Sequence, residues 1–223
     1  YAWSRCDTGG SNCTAISGAT SSTYQIQSAD AGSTLKVAVT ASNTAGNSQP
    51  ASSSPTAVVT SGSQSQTFGT TTVGGSSSSF ITNRKQVNAY SLSQSGSVTK
   101  LSVYLQPGSG SGTADVEGVI YADSGGQPGA LIATSSQLAF PSTGAAGWYD
   151  LTFSSPAALA PGSYWIGVLT GGTTQAAGYR YKFVSASRYS NYNQYSSGPS
   201  NPFGSGTTDN QQMSLYATYT PAS

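Results

Sequence analysis

Histidine is absent from all 223 residues, and with it the usual base for activating a serine or cysteine nucleophile. Charge is nearly as scarce. Asp, Glu, Lys and Arg together make up 7% of the chain, against about 25% in an ordinary soluble domain. The net charge is +1, with Lys and Arg scattered singly, so no basic stripe is available for phosphates and nucleic acid is not expected as a partner. No apolar run approaches the roughly 18 residues of a membrane-spanning helix, and no membrane partner is expected. No signal segment is visible, yet Tyr1 is not a natural start, and the chain reads as a piece of something longer.

Cysteine is limited to Cys6 and Cys13, with Gly9 and Gly10 between them. A metal pair would need further Cys or His ligands, and no histidine exists. A redox pair would more usually be spaced C-x-x-C. The simplest reading is a small disulfide closing a hairpin, which implies an oxidising compartment and a secreted or surface-exposed protein. Carboxylates number seven: Asp7, Asp30, Asp115, Glu117, Asp123, Asp150 and Asp209. Asp115 and Glu117 share a strand face about 7 Å apart, a separation a glycosidase could use, but such pairs are common on any exposed strand face. No enzyme is expected. A structural calcium would find one Asp in "YADSGGQPG" (121–129) and one in "TTDNQQ" (207–212), short of the carboxylate density of a built site. Plain turns account for both, and no cofactor is expected.

What fills the chain is Ser, Thr, Asn, Gln and Gly, punctuated by short apolar runs and by aromatics at 10%. The regular recurrence of those runs argues against disorder. From Tyr1 to Ser61, short strands and turns alternate. In "TLKVAVTA" Leu35, Val37 and Val39 face one way, and Lys36, Ala38 and Thr40 the other. "SGSQSQ" (61–66) has the composition of a linker, with residues 62–66 the connection proper. From residue 67 to 223 the runs are "SVTKLSVYL", "DVEGVIYA", "ALIAT", "WYDLTF", "SYWIGVL", "YRYKF" and "MSLYATY", most bounded by Gly, Pro or Ser. Nothing holds a 3.6-residue period, and the pattern predicts an antiparallel β-sandwich of jelly-roll type. "YWIGVL" is apolar on both faces and should be a central strand. Tyr149, Leu151 and Phe153 should share a face, with Trp148 on the other. In "YRYKF", Tyr179, Tyr181 and Phe183 should face the core.

"RYSNYNQYSSGPSNPFG" (188–204) reads as a loop, yet it carries four aromatic rings. One reading is that the rings pin the loop to the sandwich. The other starts from sugar chemistry: aromatic rings cover the C–H faces of a pyranose while amides and guanidinium groups bond its rim. Arg188, Tyr189, Asn191, Tyr192, Asn193 and Tyr195 interleave the two kinds of group, and Trp148 is a second candidate platform. On this reading the partner is a polysaccharide or surface glycan.

Two resemblances bear on these expectations. "YAWSR" with "SADAGSTLKVAVTASNTAG" resembles the immunoglobulin-like repeats of large secreted bacterial proteins, with Trp3 at the core tryptophan position. Such a sandwich has two strands ahead of that tryptophan, whereas two residues precede Trp3. Part of the apolar face around Trp3, Leu35 and Val37 would then lack cover. The missing strands were removed or come from a neighbouring chain, and the sequence leaves both open. "SVTKLSVYLQ", "IYADSGGQPGALIATS", "GWYDLTF", "LAPGSYWIGV" and "YSSGPSNPFG…SLYATYTP" are similar to a β-sandwich module at the ends of secreted actinobacterial proteins. That similarity implies an accessory role and carries over no binding residues. The alternative to glycan binding is a structural or adhesive building unit, its first domain completed by a neighbouring chain.

Overall fold

The computed structural model describes residues 1–60 and 64–222. The protein is all-β: among the described residues the only helical pieces are 3-10 turns at Ser28–Asp30 and Tyr195–Ser197. The chain divides into two compact units, Tyr1–Gly62 and Ser63–Ser223. Residues 61–63, which hold the start of the expected linker, lie outside the described residues, and its last residue, Gln66, already opens a strand.

The first unit contains β1 (Ala2–Cys6), β2 (Thr14–Ala15), β3 (Thr34–Val39), β4 (Ser42–Asn43), β5 (Gly46–Asn47) and β6 (Ala51–Ser52). A sheet runs β2–β1–β3–β6, and β4–β5 is a hairpin. Trp3 pairs with Val37 and Arg5 with Leu35 across β1 and β3. Cys6 and Cys13 are disulfide-bonded, Cα to Cα 3.9 Å. Asp7 braces the turn between them by accepting the Gly9 and Ser11 N–H groups. Asp30 is buried and accepts bonds from Arg5, from the Tyr24 hydroxyl and from the Gln27 N–H. Burial fades along β3, from Leu35 inside to Val39 exposed.

The second unit contains β7 (Gln66–Gly69), β8 (Ser76–Ser79), β9 (Arg84–Leu92), β10 (Gly96–Pro107), β11 (Thr113–Asp123), β12 (Pro128–Thr134), β13 (Leu138–Pro141), β14 (Gly147–Leu159), β15 (Gly162–Gly172), β16 (Ala177–Tyr192), β17 (Thr207–Met213) and β18 (Leu215–Pro221). They form one continuous antiparallel sheet, β12–β11–β15–β9–β16–β10–β18–β7, with β13 on β11, β14 on β10, and β8 and β17 on β16. The sheet folds face to face into a sandwich. Its core joins Val116, Ile120, Ile166 and Val168 from one side to Leu101, Val103, Leu151, Phe153 and Leu215 from the other. β15 is central, flanked by β11 and β9, as its two apolar faces require. Leu151 and Phe153 are core residues with Tyr149 packed beside them.

β16 is the seam. Its first half pairs with β10 and its second with β9, and its register against β17 breaks between Phe183 and Arg188. Two expectations change here. Residues 188–192 are strand, not loop. Their alternation is hidden because Arg188, Ser190 and Tyr192 share one face and Tyr189 and Asn191 the other, so polar and aromatic types are mixed on both. Phe183 is not core: at the break it leaves the sandwich, is 71% exposed and meets Tyr181 edge-on.

Candidate functional site

Residues 193–206 lie over the outer face of β11, β15, β9 and β16 and enclose a second core of Val87, Val119, Tyr121, Trp165, Leu169, Tyr189 and Phe203. Tyr189 is 8% exposed, its ring edge-on to Trp165 and Phe203 and pressed on Gly206, where a Cβ would come within 2.6 Å of it. Phe203 is fully enclosed. Tyr195 covers Gly171, where a Cβ would lie 2.3 Å from the ring, and its hydroxyl is 3.1 Å from both Glu117 and Gln137. Burial raises the Glu117 carboxyl above its usual range, and the Tyr195 hydroxyl only partly offsets this. Gln137 also donates to Asp115, so the Asp115–Glu117 pair is tied to the loop and its neighbours. Asn191 donates to the Phe203 and Ser205 carbonyls. Asn193 donates to the Gly198 carbonyl and accepts the Ser200 N–H. These two asparagines clip the loop through their amide N–H groups, which donate to backbone carbonyls, while the buried Asn191 Oδ1 has no hydrogen-bond partner among the described residues.

Lys85 lies under the same loop with no exposed surface. Its Nζ donates to Ser200 and to the Phe203 carbonyl and stands 4.2 Å from the Phe203 ring centre. No carboxylate pairs with it among the described residues, and burial pushes its pKa down to about 8.

On the inner face, at the seam, the core turns polar. A cleft of about 210 Å³ is lined by Ser78, Ser79, Ile81, Arg84, Gln86, Tyr179, Arg188, Ser190, Thr207, Thr208, Asp209 and Gln211. Its floor is buried and its rim, Ile81, Thr207 and Thr208, is exposed. The register makes this lining: Arg188 opposes Asn88 and Asp209, Ser190 opposes Gln86 and Thr207, and Tyr192 opposes Arg84. Arg188 bonds both Asp209 oxygens through Nε at 3.0 Å, and its Nη1 donates to Gln86 and to the Tyr179 hydroxyl. Burial opposes the charge, but Asp209 and Tyr179 hold the guanidinium more firmly protonated than a free arginine. Tyr179 in turn donates to Gln211 at 2.6 Å. Tyr192 is 72% exposed, on the same strand face as Arg188 and Ser190 and beside Arg84.

Trp148 lies elsewhere, on the outer face of β14, β10 and β18. It is half-buried, with Tyr104 at 5.6 Å and Tyr216 at 5.0 Å, both edge-on. Asp150, beside it on that face, pairs with Lys100 and accepts from Ser102. Of the residues considered for calcium, Asp123 accepts from the Trp165 indole and the Gly126 N–H, and Asp209 accepts from Arg188.

The structure thus places Arg188 in the cleft lining and Tyr192 on the same strand face, opposite Arg84 but outside that lining, encloses Tyr189 and Asn193, ties down Asn191 and Tyr195, and sets Trp148 apart. Arg84, Gln86 and Thr207 were not foreseen. In "NRKQVN" (83–88) the alternation of Arg84, Gln86 and Asn88 reads as a solvent face, and only the pairing with β16 shows that it faces inward. No family model matches the sequence, and no curated protein matches it.

Proposed function

We propose that this chain is a non-catalytic carbohydrate-binding element of a secreted or cell-surface protein, and that the sugar binds at the cleft beside Tyr192. One observation carries the reading: an exposed tyrosine stands across the strand pair from Arg84, and Arg84 lines a cleft of hydroxyl, amide, guanidinium and carboxylate groups. A sugar needs both an apolar surface for its C–H face and convergent donors and acceptors for its rim. Arg188 is held by three residues, Asp209, Gln86 and Tyr179, so its polar surroundings are arranged before a ligand arrives and little ordering cost remains. Small-molecule pockets commonly run from about 300 Å³ upward. A cleft of about 210 Å³ therefore suits one sugar unit, with the rest of a glycan lying on the surface. The disulfide supports an extracytoplasmic setting.

The test is hydrogen exchange on the full chain with and without polysaccharides retained from a broad panel. The reading predicts slowed exchange at residues 84–86, 188–192 and 207–209. Slowing instead around 102–104, 148–150 and 216 would move the site to the Trp148 face, and no retention at all would reject the reading.

A second reading, a building unit completed by a neighbouring chain, has its own observation. In the first unit Ile26, 59% exposed, lines an apolar groove with Leu35, Val58 and Val59. It predicts concentration-dependent association that Ile26→Asp abolishes, read by analytical ultracentrifugation.

A further inference from the structure

We infer that the sugar taken at the cleft is an acidic one, its carboxylate paired with Arg84. The inference rests on the carbohydrate reading and narrows it to a ligand class. Among the described residues, three cations sit in ion pairs: Arg5 with Asp30, Lys100 with Asp150, and Arg188 with Asp209. Lys85 is enclosed beneath the loop, and Arg180 donates to the Gly74 and Gly75 carbonyls. Lys36 and Lys182 are in no ion pair among the described residues either, but neither lines the cleft. Arg84 differs from all of these. It lines the cleft, is partly exposed, and its guanidinium has no hydrogen-bond partner among the described residues.

The charges facing the cleft are Arg84, Arg188 and Asp209. Asp209 is occupied: one oxygen accepts from Arg188 Nε and the Gln211 N–H, the other from Arg188 Nε and Nη2. One positive charge is therefore left uncompensated, and it belongs to a planar five-donor fork that matches a carboxylate with two parallel bonds. Tyr192 sits directly opposite Arg84 in the register, and such cross-strand neighbours have Cβ atoms about 5 Å apart. A uronic acid has the corresponding shape: a C–H face for the ring and a carboxylate projecting from the edge of the same sugar. Ser190, Thr207 and Thr208 are then within the same cleft for its hydroxyls. Specificity follows from the unpaired state, because a neutral sugar would have to desolvate Arg84 without replacing the lost water by a charged partner.

The experiment titrates the full chain with galacturonate, glucuronate and mannuronate oligomers and with their methyl esters, which keep the sugar and remove the charge. A neutral panel and a sulfated oligomer are run alongside, for wild type, Arg84→Gln and Arg84→Lys. The expected result is about tenfold or more tighter binding of one acid over its ester, no such preference in Arg84→Gln, and partial recovery in Arg84→Lys, which keeps the charge but loses the fork. Equal binding of acid and ester, an acid preference that survives in Arg84→Gln, or a sulfated oligomer that matches the acid would each overturn the inference while leaving carbohydrate binding in place. If no glycan of any class binds, both fall together.

Discussion

Tyr189 and Tyr192 are three residues apart and answer to opposite constraints. Tyr189 points outward from β16 into the space closed by the loop, between Trp165 and Phe203. Tyr192 points to the inner face at the strand's end, where no element covers it. Truncating the first removes packed ring contacts, so Tyr189→Ala should cost about 3 kcal/mol of stability, measured by denaturant unfolding, and Phe203→Ala a similar amount. Gly171 sets a matching constraint on Tyr195. A methyl group there would collide with the ring, so Gly171→Ala should expel it and break its bond to Glu117. Fluorescence of that tyrosine against a Tyr195→Phe background, with an unfolding curve, reads both effects. Wild-type stability in Gly171→Ala would contradict the packing described.

At the scale of elements, the loop over the outer face is a lid of backbone and rings with a buried amine beneath it. Lys85 has its folded pKa pushed down to about 8 by burial, against about 10.4 for a free lysine. The sign follows from linkage. Between those two values the unfolded chain binds a proton that the folded one has released, so stability rises with pH across that window, and the cost is fully present below it. Lys85→Met removes the titration and keeps much of the volume. The wild type should therefore gain stability relative to Lys85→Met between pH 7 and pH 9.5, by about 1–2 kcal/mol. A pH-independent difference would contradict a buried, unpaired amine.

The same elements show what could be read in advance. β14 and β15 announce themselves, because Leu151 and Phe153 alternate with polar residues and "YWIGVL" is apolar throughout. The parity that set Trp148 opposite Leu151 was also legible. What escaped is polarity buried on purpose. Arg188, Ser190, Gln86 and Asn88 are inside, Arg188 bonded to Gln86 and Asp209 and Asn88 to backbone, and no hydropathy pattern distinguishes such an inner polar face from a wet one. Asn88, for instance, donates to the Ser187 and Gln211 carbonyls and accepts the Met213 N–H. Tyr104 and Tyr216 could not be joined to Trp148 either, since that depends on long-range pairing among three strands.

At the scale of the whole molecule, the two units differ in how they are held. Among the described residues, the buried apolar side chains of the first unit are Cys6 and Leu35, whereas both apolar clusters belong to the second. A unit with so little core leans on its cross-link and on the Asp30 network. Reducing Cys6–Cys13 should cost the first unit about 2–3 kcal/mol and leave the second unchanged. Hydrogen exchange with and without reductant checks this, and equal loosening of both units would contradict it.

The central claim is that Tyr192 and the cleft beside it form a sugar site on a fold that does not need that ring. The most direct measurement pairs binding with melting for Tyr192→Ala, on the full chain and with the polysaccharide that the wild type retains best. The account predicts a loss of about 1 kcal/mol or more in binding, in the range of other aromatic contacts, with an unchanged melting temperature, while Trp148→Ala binds as the wild type does. Undiminished binding by Tyr192→Ala, or loss of binding by Trp148→Ala alone, would contradict it.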